Sequence, residues 1–259
     1  MVRVLEINNL NYKDFHNINL SFESNTFYSI VGDNNSGKTT LFKIIAGFIK
    51  TSAYIKCSSI LLSNRYYYIK NIGIVMCVDK TSFLFENVLD EIRYPLKNLG
   101  YKDNYINERI NDILDLLGLK RIINKKINDL NIYDKQKLLL CISLLHMPKV
   151  LIMDDVLNIF NSKERTSIIK ALKSINGLCV INFTNSLDDI LNMDKIILMN
   201  KSKIIKEIDV NDVFLDDKIF YENNVEIPFI IDLNIKLRMY NLINKNYDNV
   251  KDMVNDIWQ

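Results

Sequence analysis

Apolar and polar residues change period several times along this chain. Val2, Val4, Leu5 and Ile7 begin a strand, and Ile18, Leu20 and Phe22 alternate in a second. Phe27–Val31, Ile72–Met76 and Leu178–Phe183 are mostly apolar runs, and Val150–Met153 is an unbroken one. Runs of this kind predict strands buried on both faces of a parallel sheet. Between them the period becomes helical. A helix is predicted from about Thr39 through Ala46. A second spans Asn104 to Leu117, with Ile106, Ile110, Ile113, Leu114 and Leu117 on one face and a stop at Gly118. Two more are predicted over Tyr133–His146, ended by Pro148, and Ser162–Ile175. Residues 48–71 read as short β-like pieces, with the rings of Tyr66, Tyr67 and Tyr68 covering sheet surface. Ile196–Met199 and Lys203–Glu207 read as a hairpin around Asn200-Lys201-Ser202. From about Asp209 the pattern is helical again, with one helix opened by Pro228 and a last one from Val250 to Trp258. Such a terminal pair is either a lid or a subunit interface. Strands alternating with helices predict a mostly parallel α/β sheet that holds its ligand at the C-terminal strand ends.

One such end carries the most specific chemistry. The Phe27–Val31 strand runs into Gly32-Asp33-Asn34-Asn35-Ser36-Gly37-Lys38-Thr39-Thr40 and then a helix. This is G-x-x-x-x-G-K-[ST] in the strand-before, helix-after context that the motif requires. Inward-pointing backbone N–H groups of such a loop cradle nucleotide phosphates, helped by the positive end of the helix dipole. Lys38 is positioned to neutralise phosphate charge and the Thr39 hydroxyl to ligate Mg²⁺. Asn35 stands where many such loops carry glycine. Asn tolerates a left-handed backbone best among the other residues, so the loop is expected to close. Tyr12, between the first two strands, either stacks on a purine base or is a half-buried tyrosine at a sheet edge.

Composition narrows the rest. The 259 residues fit one large domain, or one with an appendage, and the net charge of +2 leaves no electrostatic footprint for nucleic acid. Cys57, Cys77, Cys141 and Cys179 show no CxxC pairing, which argues against a zinc site or a disulfide framework and suits a reducing compartment. No run of 18 apolar residues occurs, and Met1–Glu6 reads as a strand rather than a signal peptide.

With these residues in view, the chain resembles an ABC-type ATPase, and within that group the ATP-binding subunit of energy-coupling factor importers. The loop at 32–39, the acidic strand end at 150–155 and the helical stretch between them carry the general likeness. Asn87–Ile92 with Pro95 and Asn98-Leu99-Gly100 is similar to that subfamily's T-V-x-E-D-V…P-x-N-L-G segment, and Ile227-Pro228-Phe229 with the terminal helix is similar to its dimerisation extension. The resemblance implies a P-loop NTPase fold of ABC ATPase type: an ABC ATPase domain over 1–208, with a mostly parallel core, an antiparallel β part and a helical subdomain at about 82–146. A C-terminal helical extension over 209–259 would form a dimerisation region. It also implies ATP and Mg²⁺ as ligands, with Asp154 holding the metal. The alternative for Asp154 and Asp155 is a solvated carboxylate pair beyond a strand.

The departures from the family pattern are pronounced. Its glutamine after the strand ending near Met76 is here Cys77. Its L-S-G-G-Q signature is here Leu130-Asn131-Ile132-Tyr133-Asp134. Its catalytic glutamate aligns with Asp155, its subunit-bridging aspartate with Asn161 and its switch histidine with Asn185. His16 and His146 lie in the wrong places to substitute. Asp155 can still orient water but is one methylene short, and a misplacement of about 1 Å can cost about a hundredfold in rate. Asn185 can bond a phosphate oxygen but carries no protonic charge. Ile132 and Tyr133 add bulk at the signature, and Asp134 is expected to add repulsive charge near a phosphate. Two subunits of this family sandwich two nucleotides, so a homodimer would hold no intact site. The resemblance therefore implies a heterodimer with a more typical ATPase. A transmembrane coupling protein would dock on about residues 79–102 at the cytoplasmic membrane face, and a separate membrane protein would bind the substrate. The competing reading is a regulatory or scaffolding module that binds ATP without transport. A GTPase is disfavoured because no Asn-Lys-x-Asp motif is present.

Overall fold

The computed structural model describes residues 2–215 and 218–257, and it contains two sheets that share one core. Strands β1 (Arg3–Tyr12) and β2 (Phe15–Glu23) form a hairpin. Alternation buries Leu5, Ile7, Ile18, Leu20 and Phe22, as the sequence pattern requires. Strand β3 (Phe27–Val31) opens the second sheet and leads into α1 (Lys38–Ile45). Strands β4 (Tyr54–Cys57) and β5 (Ile60–Leu61) complete the first sheet, antiparallel in the order β2-β1-β4-β5.

Tyr66–Tyr68 overturn the expectation of a β-like piece, because they lie in a short helix α2 (Arg65–Ile69). A three-residue aromatic run has no period of its own, so a tertiary contact decides its state. Tyr68 is fully buried and its hydroxyl donates to the Ile45 carbonyl at 2.9 Å, at the end of α1. Tyr66 and Tyr67 remain exposed, edge to face with each other.

The second sheet continues with β6 (Ile72–Met76). Helices α3 (Val88–Asn98), α4 (Asp103–Leu116) and α5 (Ile132–Leu144) follow before the chain returns as β7 (Val150–Asp154). Helix α6 (Ser162–Lys173), β8 (Cys179–Thr184), β9 (Lys195–Asn200) and β10 (Lys203–Asp209) complete it. The order is β10-β9-β3-β8-β7-β6, parallel throughout except for the β9–β10 hairpin.

Strand β7 shows why an unbroken apolar run is needed. Val150 and Ile152 enter the core that holds α1 and the first sheet, whereas Leu151 and Met153 enter the core that holds α3–α6. Period two then carries Asp154 to the α1 side, at the C-terminal edge of the sheet. The helical stretch shares its core with the sheet: Ile106, Ile110 and Leu114 of α4 cluster with Val75, Leu151 and Met153. Gly118, at φ 69°, makes the left-handed turn that ends this helix.

Beyond β10 come α7 (Lys218–Glu222), α8 (Phe229–Met239) and α9 (Val250–Ile257). Phe220, Ile231 and Ile235 pack against Val31, Ile196 and Leu198, so these helices are fastened to the sheet. Asn234, buried in α8, exchanges two 2.9 Å hydrogen bonds with the Tyr247 backbone and pins the segment leading to α9. Trp258, expected to close the last helix, lies outside the described residues.

Candidate functional site

Residues 32–37 bridge β3 and α1, and the backbone of this loop is set by close packing. A Cβ at Gly32 would stand 2.0 Å from the Met199 carbonyl of β9, so no other residue fits there. Gly37 has φ 102° and Asn35 φ 64°, the left-handed conformation expected of that asparagine. The Ser202 N–H donates to the Ser36 carbonyl at 2.8 Å, which seats the β9–β10 turn against the loop. The Lys38 ammonium lies inside the loop, bonded to the Gly32 and Asp33 carbonyls at 2.7 and 3.0 Å and to Ser36 Oγ at 3.1 Å. Burial lowers its pKa, opposed by the charges of Asp155, Asp154 and Asp33.

The outer face of this loop lines a polar cavity of about 370 Å³, together with Thr39, Thr40, Asp155, Asn185, Ser202, Lys13 and Asp14. Tyr12 is not part of the lining; it is half-buried against the core, next to Lys13. Asn185, just past β8, donates its side-chain amide to Asn34 Oδ1 at 2.8 Å. Asp155 has φ 55°, its N–H donates to the Phe183 carbonyl, and its Oδ1 accepts from Asn158 Nδ2 at 3.2 Å. Burial and the neighbouring Asp154 hold the Asp155 carboxyl above its ordinary pKa, while Lys80 and Lys38 pull it down.

Asp154 is buried, and Thr39 Oγ1, which lines the cavity, donates to its Oδ1 at 3.4 Å. A threonine hydroxyl and a carboxylate are hard oxygen donors of the kind Mg²⁺ takes, and that ion keeps several waters. The donor set therefore fits the metal, which when bound would neutralise phosphate charge. Sequence reading missed what faces the other oxygen. Lys80 Nζ is 3.2 Å from Asp154 Oδ2 and 3.8 Å from Asp155 Oδ2. Burial alone would lower the Lys80 pKa, but the charge and hydrogen bond of Asp154, with Asp155 behind, outweigh it and raise it.

Two residues place Lys80 there. Met76 pairs with Asp154 across β6 and β7, so the chain leaving β6 hangs beside the carboxylates. Gln136, fully buried in α5, accepts from the Val78 N–H at 2.7 Å and donates to the Met76 carbonyl at 3.1 Å, clamping the turn around Cys77. Lys80 sits in the turn just past β6 and Gln136 within α5, and only the topology brings them together.

The remaining motif positions serve local structure. Asn131 caps α5, accepting from the Asp134 N–H at 2.8 Å, while its amide donates to Asp134 Oδ2 at 3.2 Å. The expectation that Asp134 projects repulsive charge is overturned: it is buried, and Arg121 pairs with it at 2.5 Å. Ile132 and Tyr133 are exposed on that helix start. Asn161 caps α6 through the Glu164 N–H at 3.0 Å and donates to the Glu164 carboxylate at 2.8 Å.

A family model described as ABC transporter matches residues 15–158, more than half of the chain. The chain belongs to the ABC transporter family. Among relatives, the energy-coupling factor transporter ATP-binding protein EcfA1 of Oenococcus oeni is 26% identical, over 100% of this chain and 98% of that protein. The corresponding EcfA of Malacoplasma penetrans is 24% identical, over 93% of this chain and 86% of that one. Among solved structures, cbiO1 from Clostridium perfringens, part of the ABC transporter complex cbiONQ, matches with a TM-score of 0.76 at 22% identity. That match covers 89% of this chain and 98% of the other, and it establishes the ABC ATPase fold.

Proposed function

We propose that this chain is an ATP-binding subunit of an energy-coupling-factor-type importer, peripheral to the cytoplasmic face of the membrane and slow in its own hydrolysis. The observation that carries nucleotide binding is the convergence of Lys38, Thr39 and Asp155 on one polar cavity, with Asp154 bonded to Thr39 beside it. The importer class is supported by relatives of that name whose similarity extends through the C-terminal helices.

In this reading the loop N–H groups and Lys38 hold the phosphates, and Thr39 with Asp154 holds Mg²⁺. Asp155 orients water and Asn185 bonds a terminal phosphate oxygen. Both are tied to neighbours, Asp155 to Asn158 and Asn185 to Asn34, and neither has the reach or proton chemistry of glutamate and histidine. The nucleotide then acts mainly as a switching ligand between two subunits, and a heterodimeric partner supplies most of the turnover. An apolar groove of about 860 Å³ between β6 and α3 and α5 suits a docking segment of the coupling protein; Leu84, Tyr94 and Leu139 line it. The exposed Phe229, Met239 and Val254 of the C-terminal helices suit a subunit contact.

Affinity purification of the tagged chain from membranes of its native cell tests the class. A second ATP-binding protein and a multi-helix membrane protein should co-purify. Recovery of the chain alone in the soluble fraction would refute the importer reading and leave the scaffold.

A further inference from the structure

We propose that Lys80 is a built-in cation of the nucleotide site, competing with Mg²⁺ for Asp154, so that this chain binds ATP without a divalent metal. The inference rests on the nucleotide-binding reading above and concerns a residue that neither the loop motif nor the acidic strand end includes.

Asp154 is buried, and both its oxygens are engaged: Oδ1 by the Thr39 hydroxyl at 3.4 Å, Oδ2 by the Lys80 ammonium at 3.2 Å. An incoming divalent ion would use the same carboxylate. Lys80 also reaches towards Asp155, 3.8 Å away, and so bridges the two acidic groups that would otherwise repel a polyphosphate. With Lys38 on the loop side, two ammonium groups face the two carboxylates before any metal arrives.

The placement is built. Cys77 N–H donates to the Asp154 carbonyl at 3.2 Å, Gln136 fixes the backbone on both sides of Cys77, and the 3-10 turn Val78–Lys80 follows directly. Lys80 itself is 46% exposed, so its stem is free to reach a phosphate from the carboxylate edge while its base stays fixed. In this chain, then, the turn after β6 delivers a positive charge, where the family pattern delivers an uncharged amide.

Isothermal titration of ATP into the purified chain, in Mg²⁺ and in excess EDTA, tests this. Wild-type protein should bind with affinities within about threefold in the two buffers, since Lys80 supplies the charge. Lys80→Met should lose about tenfold or more in EDTA and little in Mg²⁺, the scale of one charge-assisted hydrogen bond. Lys80→Arg should restore metal-independent binding. Because Lys80 is half-exposed, these variants are expected to fold, and circular dichroism verifies it. Equal metal dependence in wild type and Lys80→Met overturns the role of Lys80 while leaving the nucleotide site standing. Absence of ATP binding by wild-type protein in both buffers overturns the nucleotide reading and, with it, this one.

Discussion

Asn185 donates its side-chain amide to Asn34 Oδ1 at 2.8 Å, tying the end of β8 to the loop between β3 and α1. The amide is thereby spent on the loop itself. Asp155 is similarly engaged by Asn158. Replacing both, Asp155→Glu with Asn185→His, is expected to raise steady-state ATP turnover about tenfold or more, the range of a positioned acid–base group. Phosphate release assays on the double variant, with the Lys38→Ala chain as background, measure this. An unchanged rate would mean that other missing parts limit turnover.

Gly32 sits against the Met199 carbonyl so closely that Gly32→Ala forces the loop or β9 to move. Overpacking of this kind costs about 1–3 kcal/mol, so thermal unfolding should fall by roughly 3–10 °C for a domain of this size. Gly118→Ala, whose Cβ meets nothing within 4 Å, is the comparison; only its left-handed φ resists the change.

Gln136 satisfies two backbone groups from a fully buried position. Gln136→Ala leaves the Val78 N–H and the Met76 carbonyl without their partner, at a cost of about 2 kcal/mol or more. The denaturation midpoint in urea should fall accordingly. Metal-free ATP binding should weaken in step, because the turn carrying Lys80 loses its anchor.

His146, near the end of α5, donates from Nε2 to the Ile72 carbonyl at 3.2 Å. Burial lowers its pKa in the folded protein, only partly opposed by that hydrogen bond. In the unfolded chain the ring titrates near about 6.5. Below that pH the unfolded state binds a proton that the folded state does not, so stability falls as pH drops from about 6.5 towards the lowered value. His146→Gln keeps an amide donor without titrating. Its stability curve over pH 7 to pH 5 should be flatter than that of wild type.

Much of this architecture was legible in the pattern of residues. The β7 run Val150–Met153 had to be buried on both faces, and the left-handed backbone at Asn35 and Gly37 was expected of those residue types. Tyr66–Tyr68 were misread because three aromatics carry no period and the buried Tyr68 decides the helix through a contact with Ile45. Asp134 was misread for a similar reason: its charge is cancelled by Arg121, 13 positions away. Lys80 escaped notice because its meaning depends on the pairing of β6 with β7, which sets Met76 beside Asp154 and so brings Lys80 to a carboxylate 74 positions further along the chain. Side chains in a motif announce themselves; those that topology alone brings to a site do not.

The central claim is that this site holds ATP more readily than it cleaves it. The direct measurement is the identity of the nucleotide retained after incubation with ATP and Mg²⁺, read by chromatography of the isolated complex. Wild-type protein should retain mostly intact ATP, and Lys38→Ala, lacking the ammonium inside the loop, should retain none. Mostly ADP on the wild-type chain, or equal retention by Lys38→Ala, would contradict the account.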